Sequence, residues 1–115
     1  MKLYGKDDFS DTTEFCIEHM VKHHIGDHKS NNDFEEKLKS EITEDIIGEL
    51  NNIMIYWNDM ESNSTLARTL HTLKQLLSFI DFDEVSELCQ DLEIAVRQGN
   101  RDEVLRDLII SNIVK

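Results

Sequence analysis

His71 and Lys74 stand three residues apart in the run Leu70-His71-Thr72-Leu73-Lys74, a spacing that brings both side chains to one side of a helix. An imidazole is the most versatile of protein side chains, serving as nucleophile, proton carrier or metal ligand near neutral pH. Beside an ammonium group one turn away it is placed to share an anion. Arg68, Ala67, Gln75 and Ser78 complete the same face. A second group of histidines, His19, His23, His24 and His28, lies near the N-terminus. His19 and His23 have a spacing that can hold Zn²⁺ or Cu²⁺ when further ligands arrive. No cysteine or acidic pair completes a set of defined spacing, so no metal site is expected. His24 falls on the apolar side of its segment and reads as a partly buried core residue. Cys16 and Cys89 also fall on core-facing positions and read as packing, not redox chemistry. There is no glycine-rich phosphate loop.

The scaffold for these groups is a chain of 115 residues, about one domain long and able to bury a core without disulfides or metal. We expect one helical domain over residues 1–115, with residues 1–10 as a flexible lead-in. Twelve Lys and Arg oppose 24 Asp and Glu, for a formal charge of −12. That balance repels phosphate backbones and anionic lipid, which argues against nucleic-acid and membrane partners. A hydrophobic content of 39% is too high for a disordered acidic tail, and no apolar run approaches the roughly 18 residues of a membrane span. No signal peptide is visible, and two cysteines do not make a disulfide framework, which points to a reducing cytoplasm.

With no proline and only four glycines, little stops a helix except its capping residues, so the class is all-α. A first helix is expected from Asp11, with Glu14 completing a capping box, to about Ile25, its apolar face being Cys16, Ile17, Met20 and Val21. A second spans about Asp33–Asp59, with Phe34, Leu38, Ile42, Ile46, Leu50, Ile53 and Trp57 inward and a break near Ser40–Thr43. The polar stretch Asn58–Ser64 reads as a loop, with Ser62 or Ser64 as the next cap. Leu66, Leu70, Leu73, Leu77 and Ile80 then step by four and three, the seam of a bundle helix. Asp81 and Glu84 read as the box opening a fourth helix, with Val85, Leu88, Cys89, Leu92 and Val96 inward until Gly99. Asn100 and Glu103 open a fifth, with Val104, Leu105, Leu108, Ile109 and Ile113 inward. Short connections make neighbours antiparallel. The sum is an antiparallel up-and-down four-helix bundle with an additional N-terminal helix packed across one end or side. At roughly 100° per residue from the Leu66–Ile80 seam, His71 lies about 140° away, toward solvent. Phe79, off the seam, is expected to be partly exposed near His71, and the alternative packs it under the N-terminal helix.

The run Leu70-His71-Thr72-Leu73-Lys74, then Cys89-Gln90-Asp91-Leu92-Glu93, then Arg97-Gln98-Gly99 resembles the signature of histidine-containing phosphotransfer (HPt) domains of multistep phosphorelays. The match covers Leu66–Gly99 in detail. The resemblance implies that His71 is the phosphorylated residue, relaying a phosphoryl group between receiver-domain aspartates. Lys74 would favour the neutral, nucleophilic imidazole and stabilise charge on phosphohistidine. Arg68, Gln75, Ser78 and Phe79 would be phosphate or docking neighbours. The implied partners are receiver domains of a hybrid histidine kinase or a response regulator, and the chain would be a free-standing cytoplasmic relay without autokinase activity. No cofactor is implied, the Mg²⁺ belonging to the receiver. Two departures stand out: Gln75 replaces the family's small residue four after the histidine, and Asp81 replaces a later glycine, where it makes sense as an N-cap. The alternative function is a binding module of the same fold that docks or sequesters a receiver or kinase without phosphotransfer.

Overall fold

Helix α1 runs from Asp11 to Ile25, α2 from Asn32 to Tyr56, α3 from Asn63 to Phe79, α4 from Asp83 to Arg97 and α5 from Glu103 to Ile113. The computed structural model describes residues 3–25 and 32–115. Helices α2 to α5 pack in sequential order, and α1 lies against both α2 and α5, closing the side on which those two would otherwise meet. The class is all-α, a helical bundle with an added N-terminal helix, as the periodicity predicts. His28 and Gly26 lie outside the described residues, as does the side chain of His24.

The core is the predicted seam joined to its partners. Leu66, Leu70, Leu73, Leu77 and Ile80 of the α3 segment are buried against Ile46, Leu50 and Ile53 of α2 and Val85, Cys89, Leu92 and Val96 of α4. Helix α2 is continuous for 25 residues, so the expected break near Ser40–Thr43 does not occur. Its first apolar residue, Phe34, is exposed, because that end of α2 reaches beyond the core. On α5 the inward residues are Ile109 and Ile113, whereas Val104 is 70% exposed and Leu108 44%. Apolar side chains occupy more than one face of α5, so composition could not select the right one.

The helix starts are corrected as well. Ser10, not Asp11, caps α1: its Oγ accepts from the Thr13 amide at 3.2 Å. Asp102, not Asn100, caps α5 by accepting from the Val104 and Leu105 amides. Asp81 caps nothing; α4 starts after Phe82, and Asp81 sits in the left-handed region with φ 59°. Ser62 does precede α3, but its hydroxyl turns back to donate to Asp59. Residues 3–10 are not a loose lead-in. Phe9 is buried and bridges to Val114, the Lys115 amide donates to the Asp8 carbonyl, and the Tyr4 backbone exchanges two hydrogen bonds with the Asn51 side chain. At the opposite end Arg101 donates to the carbonyls of Tyr56, Trp57 and Asp59 and to Asn63 Oδ1. One guanidinium thus satisfies the orphan carbonyls at the end of α2 and fixes where α3 begins.

Candidate functional site

Helix α3 is held from both sides, and its polar stripe is therefore fixed in space. His71 follows Leu70 and sits just off the buried seam, on the side toward α4, with its side chain 45% exposed. Its Nδ1 lies 3.2 Å from Glu93 Oε1. The other carboxylate oxygen, Oε2, accepts from Arg97 Nε at 3.1 Å and pairs with a terminal guanidinium nitrogen at 3.0 Å. Glu93 itself is only 9% exposed, so this carboxylate is a buried strut between a histidine on one helix and an arginine on its own. An ionised carboxylate can only accept, so the hydrogen lies on Nδ1 and the lone pair of the neutral ring lies on Nε2. Nε2 makes no hydrogen bond within the described protein.

The other residues singled out in the sequence share the helix but not these bonds. Arg68, Gln75 and Ser78 are exposed and Lys74 is partly buried. Among the described residues none of the four is hydrogen-bonded or ion-paired to His71 through its side chain, and neither Arg68 nor Lys74 has a carboxylate within 4.0 Å. Phe79 is 46% exposed, which agrees with a partly solvent-facing ring. Ala67 is buried, contrary to its assignment to the exposed face: it lies toward α4, where it helps line a shallow cleft of about 220 Å³ with Asn63, Ser64 and Arg97. Close approach of α3 and α4 is secured by Ser86, whose hydroxyl donates to the Lys74 carbonyl at 2.9 Å.

The N-terminal histidines are arranged differently. On α1 the rings of Phe15, His19 and His23 stack in succession, with centroids 5.9 and 6.3 Å apart. No group of three or more His, Cys, Asp or Glu side chains among the described residues could hold a metal ion. Cys89 is buried, and burial pushes its thiol up to about 12, so it stays protonated and inert at neutral pH. Cys16 is raised in the same direction by partial burial and then by the nearby charge of Asp81.

Glu93 and Arg97 were visible in the sequence as parts of a pattern, but nothing there assigned Glu93 to the histidine. A signal was nevertheless present. His71 follows the seam residue Leu70 by one position, and Glu93 follows the core residue Leu92 by one, so both flank the α3–α4 contact, while Arg97 stands one turn beyond Glu93 at the spacing of a helical ion pair.

No curated protein and no solved structure matches the chain significantly. A family model of the Hpt domain does match, over residues 30–109, a span that includes all of α2, α3 and α4 and the whole His71–Glu93–Arg97 arrangement. Hpt domains work with receiver and kinase partners in phosphorelays. Because that match takes in well over half of the chain, with the histidine-bearing helix at its centre, the protein belongs to the Hpt domain family, and its function is of the phosphotransfer type in two-component signalling.

Proposed function

We propose that this chain relays a phosphoryl group between receiver-domain aspartates through phosphohistidine at His71, and that it does so in the cytoplasm. The observation that carries the reading is the division of labour on the imidazole: Nδ1 is turned to a buried carboxylate, and Nε2 is left for the phosphorus. In the transfer, the Nε2 lone pair forms the N–P bond as the P–O bond to the receiver's aspartyl carboxylate breaks, and the carboxylate leaves with the bonding pair. The ring becomes cationic, and its Nδ1 proton remains on the hydrogen bond to Glu93, which stabilises that charge. Arg97 keeps the Glu93 carboxylate aimed at the ring. Lys74, one turn from His71 and without a carboxylate partner, is available to the phosphoryl oxygens, with Arg68 on the preceding turn. Transfer to the next receiver is the same displacement in reverse. This chain supplies no metal in the scheme; Mg²⁺ is expected to stand in the receiver.

The test is to incubate the protein with a phosphorylated receiver and look for acid-labile, base-stable phosphate on this chain. His71→Gln is expected to abolish that label while leaving stability within about 0.5–1 kcal/mol, because the ring contributes little packing. Label retained in the variant would refute the assignment. Stable binding of a phosphorylated receiver with no label on either protein form would instead favour a docking module.

A further inference from the structure

A second concave surface lies between α1 and α2, and the wall supplied by α1 and the lead-in falls outside the span that matches the family, which begins at residue 30. Two clefts of about 310 and 190 Å³ run on from one another there and share Glu36 and Lys39. The larger is bounded at one end by Lys6, Asp7 and Phe9, a segment held by the bridge from Phe9 to Val114 and the bond from Lys115 to Asp8. Buried Phe9, Ile17 and Val21 form the base of the groove. Six carboxylates and three lysines line it. Glu14, Glu36 and Glu44 are exposed on its rim, and none has a cationic side chain within 4.0 Å among the described residues. One lysine shows what the groove accepts: Lys39 stands where the two clefts meet, and its Nζ donates across the helices to Glu18 Oε1 at 2.8 Å.

We infer that the α1–α2 groove is a docking site for a lysine-rich segment of a partner protein, separate from the phosphoryl site. A lysine side chain joins an apolar stem to a cationic head, which matches an apolar base under a rim of unpaired carboxylates. The net charge of −12 draws cations to the whole molecule, but the groove adds a concave apolar base that a plain acidic helix surface lacks. From Glu35 to Glu44 the α2 wall is about 14 Å long at about 1.5 Å per residue, room for a short segment and not for a domain. Helix α2 has α1 on one flank and α3 on the other, and His71 lies beyond α3 toward α4, so an occupant of the groove leaves the imidazole uncovered. A partner held here keeps the chain in place while its histidine stays open. The inference does not depend on which residue takes the phosphoryl group.

The experiment titrates the full chain with a fluorescent helical peptide of about twelve residues, lysine at every third or fourth position and alanine between. Amide shift changes are expected at Ile17, Ser40 and Thr43 and not along α4. Glu36→Gln with Glu44→Gln is expected to weaken binding about 5- to 10-fold. Glu87→Gln with Asp91→Asn removes the same charge from the exposed side of α4 and should weaken it less than about twofold. Ser40→Trp keeps every carboxylate and fills the mouth of the larger cleft, and it should match the first pair. All these positions are exposed, so each variant is expected to keep the helix content of the parent. Equal losses from the two charge pairs, or full binding by Ser40→Trp, would reveal diffuse attraction and overturn the site, as would no binding at all. Displacement of the peptide by an equal concentration of spermidine would overturn the partner segment in favour of a small amine. Phosphoryl transfer from a receiver should be unchanged at saturating peptide, and its loss would overturn the separation from the phosphoryl site.

Discussion

Helices α1 and α3 both turn imidazoles outward, but the rings are set in place by different things. On α1, His19 stacks between Phe15 and His23, its own neighbours one turn away on the same helix. On α3, His71 reaches across to Glu93 of α4, which Arg97 holds in turn. The helices are fixed differently too. α3 is clasped by α2 and α4 along a fully buried seam, whereas α1 packs onto the core by Ile17, Met20 and Val21 and is latched at its first turn, where Thr13 Oγ1 donates to the Ile113 carbonyl at 2.9 Å and Ser10 binds Thr13. The lesson is that exposure and residue type do not by themselves fix an imidazole's tautomer. Stacking, as at His19, chooses neither ring nitrogen, while the hydrogen bond from a second helix selects the tautomer of His71.

After loss of His71 itself, the largest blow to this contrast should come from Glu93→Ala, which unties the ring without removing the proposed phosphoryl acceptor. Misplacement of a reacting atom by about 1 Å can cost on the order of 100-fold, so a fall of about 10- to 100-fold in transfer is expected. Glu93→Gln retains an acceptor oxygen and should recover most of it, an outcome that a purely structural role for Glu93 would not produce at equal stability. His19→Ala with His23→Ala is the matching change on α1 and should leave labelling unaffected. If that pair proved as damaging as Glu93→Ala, the distinction between the two helices would collapse.

Sequence periodicity located the α3 seam and the outward face of His71, because each depends on a spacing that one helix imposes on itself, and the bounds read for α1 also match although the box that marked its start does not form. What it misplaced depends on contacts between helices or on backbone geometry. Asp11–Glu14, Asp81–Glu84 and Asn100–Glu103 all have the spacing of a capping box, but in a chain with 24 acidic residues that spacing recurs by composition. The working caps are Ser10 and Asp102. Ala67 was put on the exposed face by its angle alone, yet α4 covers it. Burial of Glu93 is likewise a property of the α3–α4 contact, not of either helix. The lead-in at residues 3–10 was judged by its polarity, and what holds it is pairing with the far end of the chain.

The latch on α1 gives the next smaller effect. Thr13→Val keeps the shape and removes the hydroxyl that donates to Ile113, a carbonyl that still accepts from the Ser10 amide at 2.8 Å. The hydroxyl also shares a hydrogen bond with Ser10 Oγ at 2.9 Å and a longer one with the Asn112 carbonyl, and those two groups still bond each other, so neutral hydrogen bonds are lost without an orphaned partner and a cost of about 1–2 kcal/mol is expected. Amide exchange in α1 should quicken with phosphoryl transfer untouched. Impaired transfer in this variant would mean that α1 takes part in fixing α3, contrary to the comparison.

The smallest effect should come at the turn that ends α3, and its sign is the informative part. Helices α3 and α4 close with the same pair of hydrogen bonds. After α3 the Phe82 amide donates to Leu77 at 2.8 Å and the Asp81 amide to Ser78 at 3.0 Å; after α4 the Asn100 amide donates to Ala95 at 2.8 Å and the Gly99 amide to Val96 at 2.9 Å. Both turns need a left-handed residue, with φ 59° at Asp81 and 84° at Gly99. Glycine adopts that conformation without a Cβ clash, while an L residue pays for it, aspartate less than most. Asp81→Gly is therefore expected to stabilise the protein, by about 0.5 kcal/mol after the greater freedom of glycine in the unfolded chain is counted, a rise of a few degrees in Tm. Removing the Asp81 charge should also lower the Cys16 thiol toward its ordinary value, since Asp81 is the second cause of its upward shift, after burial. Thiol alkylation at Cys16 as a function of pH reads this directly. A destabilised Asp81→Gly variant would show that the aspartate makes contacts worth more than the strain it carries, and that the departure from glycine at this turn is a gain for the fold.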